Sequence, residues 1–318
     1  MTTKRAPFLH TVDTSFSMMR DMLIALIPVS VMAVVRFGWR AALFIVCGIG
    51  SAVLFEYLFQ KFTDREITIR DGSAAVTGLL LALSYPSTAP LWIIFFSTFV
   101  AIVLIKQLAG GIGRNFLNPA VFTRVLTKIL FTPLITNWVM PGPDAVSTVT
   151  PLVHIGGGQS LLPPEVPGFY DVFMGHIGGN IGEPVKWAIL LGFLYLVIRR
   201  VIRFEVPLAT LGGLFLVNML FGRSNLEFAL YHVLTGTAMF AAVFMVTDYS
   251  TSPLNRRARF YFALGVGILT GVIRHVFQLP GGIGVSILLM NLAVPALEMW
   301  IVPRVFGHKD DTAVTETR

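Results

Sequence analysis

Cysteine is almost absent. Cys47 is the single one in 318 residues, which excludes an internal disulfide and a four-cysteine ligand set for an iron–sulfur cluster supplied by this chain alone. It reads as a small core residue of the second apolar segment. Charge is also scarce. Asp, Glu, Lys and Arg make up 13% of the chain against 55% hydrophobic residues, and the mean hydropathy is +0.75. That balance places most of the chain in lipid. The six histidines show no ligand spacing, so no metal site is assigned. Gly156-Gly157-Gly158 and Gly178-Gly179 lack the strand-to-helix setting of a phosphate cradle and read as loop elements. One further absence has a position: no Lys or Arg occurs from Ile129 to Val185.

What is present is a series of apolar segments. Ten lie near 18–36, 40–59, 72–84, 91–108, 115–131, 186–203, 206–222, 228–247, 260–276 and 284–302. Helices about 17–25 residues long cross a hydrocarbon core with their backbone polar groups satisfied internally. The third segment is too short for that and reads as a half-helix completed by irregular backbone. Residues 1–17 are polar and the next segment is long enough to stay in the membrane, so no cleaved signal peptide is expected. With the N-terminus inside, 17 of the 24 Lys and Arg residues fall on the cytoplasmic side, Lys106 among them. The positive-inside rule then puts both termini in the cytoplasm and the cation-free central loop outside. The net charge of +7 follows from topology and not from nucleic-acid binding.

The two halves resemble each other. Val76-Thr77-Gly78 recurs as Leu234-Thr235-Gly236, Ser87-Thr88-Ala89-Pro90-Leu91 as Ser250-Thr251-Ser252-Pro253-Leu254, and Gly110-Gly111-Ile112-Gly113 as Gly281-Gly282-Ile283-Gly284. Asn118 with Pro119 and Asn291 with Pro295 follow the glycine turns. Five crossings per half, an odd number, invert the second half relative to the first. Such repeats bring broken helices and glycine turns together at a site for an ion or cofactor; close helix packing is the competing reading of each glycine. The expected organisation is a cytoplasmic segment 1–17, a membrane repeat 18–131, an extracytoplasmic loop 132–185, a second repeat 186–303 and a cytoplasmic tail 304–318.

Several motifs together resemble a known family. Arg70-Asp71-Gly72, residues 77–83, Gly110 to Asn115, Leu117-Asn118-Pro119-Ala120, Thr247-Asp248-Tyr249 and Leu289-Met290-Asn291 are similar to the D subunit of the Rnf complex and, more distantly, to the B subunit of the sodium-pumping NADH:quinone oxidoreductase. The chain's length favours the former, because the B subunit usually carries a longer N-terminal extension. The resemblance implies an all-α polytopic membrane protein of about ten helices in two inverted repeats, similar to urea and ammonium transporters. It implies a bacterial or archaeal cytoplasmic membrane, and electron flow between ferredoxin and NAD coupled to Na⁺ or H⁺ translocation. It also implies a subunit that is not catalytic alone and works beside iron–sulfur and FMN-bearing subunits. A quinone-reducing sibling subunit and a cofactor-free solute transporter or channel are the competing functions.

The same resemblance implies FMN esterified through its phosphate to a threonine by a flavin transferase, and possible non-covalent riboflavin between the repeats. The family acceptor pattern Asp-Gly-x-Ser/Thr-Gly-Ala-Thr falls on Asp144-Ala145-Val146-Ser147-Thr148-Val149-Thr150. Asp144, Ser147 and Thr150 match, and Thr150 is the acceptor; Ala145, Thr148 and Val149 depart from the pattern. Without the resemblance this is an ordinary hydroxyl-rich turn before Pro151. Arg124 and Lys128, four residues apart on one helix face, are expected to touch the flavin phosphate or stabilise the reduced ring, with a structural ion pair or snorkelling as the alternative. Asp71, Asp248 and Glu298 stand in or beside apolar segments and are ion-pathway candidates. Helix capping or pairing with nearby arginines is the competing reading of Asp71 and Asp248.

Overall fold

A computed structural model describes residues 15–111, 113–141, 147–148, 150–155, 162–163, 166–279 and 281–302. Most of the N-terminal segment and of the C-terminal tail lies outside the described residues. The chain is helical apart from one short antiparallel strand pair.

Two long helices open it, α1 (Ser15–Phe37) and α2 (Trp39–Phe62), separated by Gly38 alone. That residue has φ 70°, a left-handed conformation that glycine adopts without steric cost. A 3₁₀ turn at Ile69–Asp71 leads to α3 (Ser73–Leu83), and α4 (Leu91–Phe99) runs on as a π-helix from Val100 to Gln107. Next comes α5 (Pro119–Leu130), then the four-residue α6 (Thr132–Ile135). In the central region β1 (Trp138–Val139) pairs with β2 (Ser147–Thr148), followed by short α7 (Pro151–Ile155) and α8 (Phe169–Met174). The second half contains α9 (Lys186–Ile198), α10 (Glu205–Phe221), α11 (Leu226–Leu234), α12 (Ala238–Phe244), α13 (Arg256–Val276) and α14 (Ile283–Trp300).

By length and apolarity α1, α2 and α14 each suffice to cross a membrane, and α11 with α12 forms a fourth span bent by 58°. Shorter apolar helices α3, α4 with its π-helical end, α9 and α10 accompany them. Val35, Val46, Leu220 and Trp300 are strongly exposed, as befits lipid-facing surfaces. The chain is a multi-pass membrane protein.

Three segments differ from the sequence expectation; the one at 186–203 is an α-helix only as far as Ile198. The segment at 115–131 is a helix only from Pro119, because Asn118 caps it by accepting from the Ala120 and Val121 N–H groups at 3.0 and 3.1 Å and proline belongs in a first turn. The segment at 228–247 is two helices, broken at Thr235-Gly236-Thr237 with Gly236 at φ 72°.

Small residues set the packing. A Cβ on Gly78 of α3 would stand 2.2 Å from the Gly48 carbonyl oxygen of α2, and one on Gly267 of α13 would stand 2.0 Å from the Thr210 carbonyl oxygen of α10. These helix pairs meet backbone to backbone, where dispersion replaces a hydrophobic driving force that lipid does not supply. The halves meet where α1 packs on α9 and α5 on α14. Asp21 of α1 reinforces the first contact, accepting from the Tyr195 hydroxyl at 3.1 Å and from Arg199 Nε at 3.2 Å.

Substituting Gly78→Ala forces α2 and α3 apart and is expected to cost about 1–3 kcal/mol. Gly50→Ala, with open space at its Cβ, is the control. Thermal unfolding in detergent should show a loss for the first variant and none for the second.

Candidate functional site

Two clefts are built on the same three helices. The first, with an empty volume of about 870 Å³, is walled by Thr150, Trp138, Asn180, Glu183 and Gly236, by Arg124 and Lys128 of α5, and by Gly281 and Gly284. Thr150 is only 6% exposed. The pairing of Trp138 with Thr148 and of Val139 with Ser147 holds the chain two residues upstream, and α7 begins directly after it. The expected turn is therefore a pinned strand end that sets Thr150 into a cleft wall.

Arg124 and Lys128 lie one turn apart and face this same space. The Arg124 guanidinium stands 5.1 Å from the centre of the Tyr85 ring, whose hydroxyl is bonded to Ser97 Oγ at 2.8 Å and donates to Thr127 Oγ1 at 2.9 Å. Arg124 Nη1 is buried without a hydrogen-bond partner among the described residues. Lys128 Nζ lies against Gly281, where a Cβ would stand 2.7 Å from it. One carboxylate answers these cations. Glu183 Oε2 accepts from the Asn180 N–H and Nδ2 at 3.3 and 3.0 Å, while Oε1 has no partner among the described residues. The Glu183 carbonyl takes Lys186 Nζ at 2.6 Å. The lining thus has an excess of positive charge, which in a low-dielectric setting favours an anionic ligand.

The second cleft, about 760 Å³ of empty volume, opens at the other ends of α3, α5 and α12. Its polar wall includes Ser73, Lys106, Asn115, Asn118, Asp248 and Ser250. Asp248 accepts from Asn118 Nδ2 at 3.2 Å, from the Ser250 N–H at 3.1 Å and from Thr251 Oγ1 at 3.1 Å. Burial raises its carboxyl above the ordinary range, and the Ser250 and Thr251 hydrogen bonds oppose that rise. Asp71 repeats the local pattern, its Oδ1 accepting from the Ser73 N–H at 2.8 Å and Oγ at 2.6 Å. Both acids cap their own turns, and Asp71 reaches the cleft through Ser73.

The structure adds a pair that no sequence pattern singled out. Lys106 is 2% exposed and Glu56 fully buried; Lys106 Nζ bonds Glu56 Oε1 and Ser73 Oγ, each at 2.6 Å. Gln107 Nε2 donates to the same carboxylate oxygen at 2.6 Å. Lys106 is therefore no free cytoplasmic charge, because the π-helix turns it inward onto Glu56. A signal was available: Glu56 is an acid within a 24-residue apolar helix, and such a group needs a partner.

Glu298 lies elsewhere. It is exposed near the end of α14, lines neither cleft, and accepts from the Leu254 N–H at 2.8 Å. Asp144 lies outside the described residues, as do the side chains of Ser147, Thr148 and His154. The paired glycine motifs do not give paired sites. Gly281 and Gly284 wall the first cleft, whereas Gly110, Gly111 and Gly113 form a left-handed turn that lines neither.

Comparison with known proteins supplies the family. The profile described as "NQR2, RnfD, RnfE family" matches residues 2–307. The chain belongs to this family. Its relatives include the D subunit of the Na(+)-translocating ferredoxin:NAD(+) oxidoreductase complex of Acetobacterium woodii, 35% identical over 96% of this chain and 95% of that protein. The D subunit of the proton-translocating ferredoxin:NAD(+) oxidoreductase complex of Clostridium ljungdahlii is 33% identical over 97% and 96%. The D subunit of the ion-translocating oxidoreductase complex of Pseudomonas aeruginosa is 37% identical over 76% and 77%. Family members are thus subunits of translocating oxidoreductase complexes.

Replacing Lys106 with Met strands the Glu56 carboxylate in the helix bundle, at an expected cost of about 3–5 kcal/mol. Adding Glu56→Gln to that variant should return most of the loss. Thermal unfolding of both variants in detergent checks the pairing.

Proposed function

We propose that the chain is the membrane electron-transfer subunit of an ion-translocating ferredoxin:NAD oxidoreductase complex, with FMN held by a phosphoester on Thr150. The observation that carries this reading is the company Thr150 keeps: a buried hydroxyl shares one cleft with Arg124 and Lys128, and a guanidinium nitrogen there is unpartnered among the described residues. A phosphate-linked flavin is anionic, and its charge rises on reduction; the excess cations suit both. Bound FMN supplies one-electron redox chemistry, while the chain supplies position and electrostatics. Thr150 anchors, Arg124 and Lys128 hold the negative charge, and the walls from α5 and α14 exclude lipid.

The membrane arrangement we propose has ten crossings in two inverted five-helix repeats in a cytoplasmic membrane, with both termini inside and Thr150 outside. The contacts of α1 with α9 and of α5 with α14, each joining corresponding helices of the two halves, support it. So does the repeated Asp-x-Ser turn at Asp71 and Asp248. The second cleft suits non-covalent riboflavin, a neutral tricycle with hydroxyls. Met18, Met19 and Met22 give it an apolar side, and Asn115 Oδ1 and the Tyr249 hydroxyl are buried without partners among the described residues. Na⁺ or H⁺ would pass by way of Asp71 and Asp248, with Glu298 at the membrane surface. Iron–sulfur and FMN-bearing partner subunits deliver and remove electrons, and a flavin transferase attaches the FMN.

Peptide mass mapping of the chain made with the transferase should find FMN on the peptide containing Thr150, and none in Thr150→Ala. A bare native peptide despite active transferase would sink the redox reading in favour of a solute transporter. In the flavinylated chain, Lys128→Met should lower the flavin midpoint potential by about 60 mV, equivalent to a tenfold loss of preference for the reduced state in a one-electron step. Spectroelectrochemical titration reads it, and an unchanged potential removes Lys128 from the ring's surroundings.

A further inference from the structure

We propose that Trp138 is the stacking platform for the ring of the flavin carried by Thr150. The inference rests on the flavin reading above and assigns the plane of the ring to a residue of the central region, outside α5 and α14.

The strand pair sets the two residues side by side. Trp138 lies opposite Thr148, and residues two apart along extended chain share a face. Carried on past the strand end, the same alternation makes Thr150 a diagonal neighbour of Trp138. Such neighbours stand about 7–8 Å apart, within reach of an aromatic side chain. Both residues line the first cleft. The phosphate and ribityl chain between Thr150 and the ring are long enough to lay the ring over that neighbour.

Of the residues lining this cleft, only Trp138 and Phe240 are aromatic. Phe240 is 2% exposed and already packs on the Phe244 ring, with centroids 5.2 Å apart. Trp138 is half-buried, and neither an aromatic ring nor a cation stacks on it among the described residues. The indole is held by its edge. Its Nε1 donates to Asn180 Oδ1 at 3.4 Å, and Asn180 Nδ2 donates in turn to Glu183 Oε2 at 3.0 Å. An indole N–H lies in the ring plane, so this long bond orients the ring without covering either face. An oriented aromatic face in a cleft wall suits a planar heteroaromatic ligand, which stacks on it in an offset arrangement. Indole is also the most electron-rich of the aromatic side chains, and oxidised isoalloxazine is electron-poor. The cleft then separates two tasks: Arg124 and Lys128 answer the charge, and Trp138 fixes the plane of the ring.

The test uses the full-length flavinylated chain in detergent and reads flavin fluorescence decay and anisotropy, with a Thr150→Ala chain giving the signal of any flavin held elsewhere. Stacked indole quenches an excited flavin, because it gives up an electron and takes it back within picoseconds; a phenyl ring stacks without donating. The native lifetime should be severalfold shorter than that of free FMN. Trp138→Phe should restore the long lifetime and keep the native anisotropy, whereas Trp138→Ala should restore the lifetime and lower the anisotropy. A native lifetime as long as that of free FMN overturns the stacking without recourse to any variant. So does a native lifetime in folded, flavinylated Trp138→Phe or a native anisotropy in Trp138→Ala; the indole is then an interfacial anchor only, and the flavin reading stands. Absence of FMN from the native chain overturns that reading, and this inference with it.

Discussion

Hydrocarbon offers no hydrogen-bond partner, and that constraint organises the whole molecule. A polar group taken into the bundle is costly unless another part of the chain answers it. Along the long helices the backbone answers itself, and their outward faces carry aliphatic side chains. Where helices stop short, as at Asn118, Thr235 and Gly236, the released groups are capped or walled by neighbours, and these places are where the clefts lie. Irregular backbone and functional space coincide because a protein-lined cavity is what makes irregularity tolerable in lipid.

The same constraint separates the charged side chains into two kinds. Asp21 with Arg199 and Glu56 with Lys106 are complete within the chain and tie helices together. Arg124 and Arg274 are held by π stacking or by a carbonyl, with nitrogens left over among the described residues. The first kind ties helices together; of the second kind, Arg124 lines the cleft that holds Thr150, and Arg274 stands behind Gly236, which walls it. The glycine contacts serve both, since the backbone approach of α3 to α2 and of α13 to α10 fixes the frame on which the cleft walls stand.

Much of this was legible in the sequence. Apolar length located the helices closely, and the short third segment is the short helix α3. The family resemblance, laid over a cation-free stretch that by itself reads as an ordinary turn, pointed to Thr150, and the spacing of Arg124 and Lys128 put them on one face; the structure brings all three to one cleft. The bend at Gly236 was harder to read, because 228–247 is continuously apolar and Thr-Gly-Thr interrupts no hydropathy window. The burial of Lys106 was not legible, because a count of basic residues by loop cannot see a π-helix turning one of them inward. The burial of Arg274 against Gly236 was not legible, since nothing in its neighbours along the chain predicts a contact with a residue 38 positions earlier. Local pattern reads elements well; it reads poorly the contacts that depend on two elements' relative rotation.

The π-helix from Val100 to Gln107 has one more consequence. Consecutive residues of an ordinary α-helix point about 100° apart, yet Lys106 and Gln107 both grip one oxygen of Glu56. The wider winding is what lets neighbours converge like the two jaws of a pincer. Were that stretch to tighten into an α-helix, one jaw would swing off the carboxylate. Helical winding and the pairing of the one buried acid of α2 are therefore a single feature of the bundle.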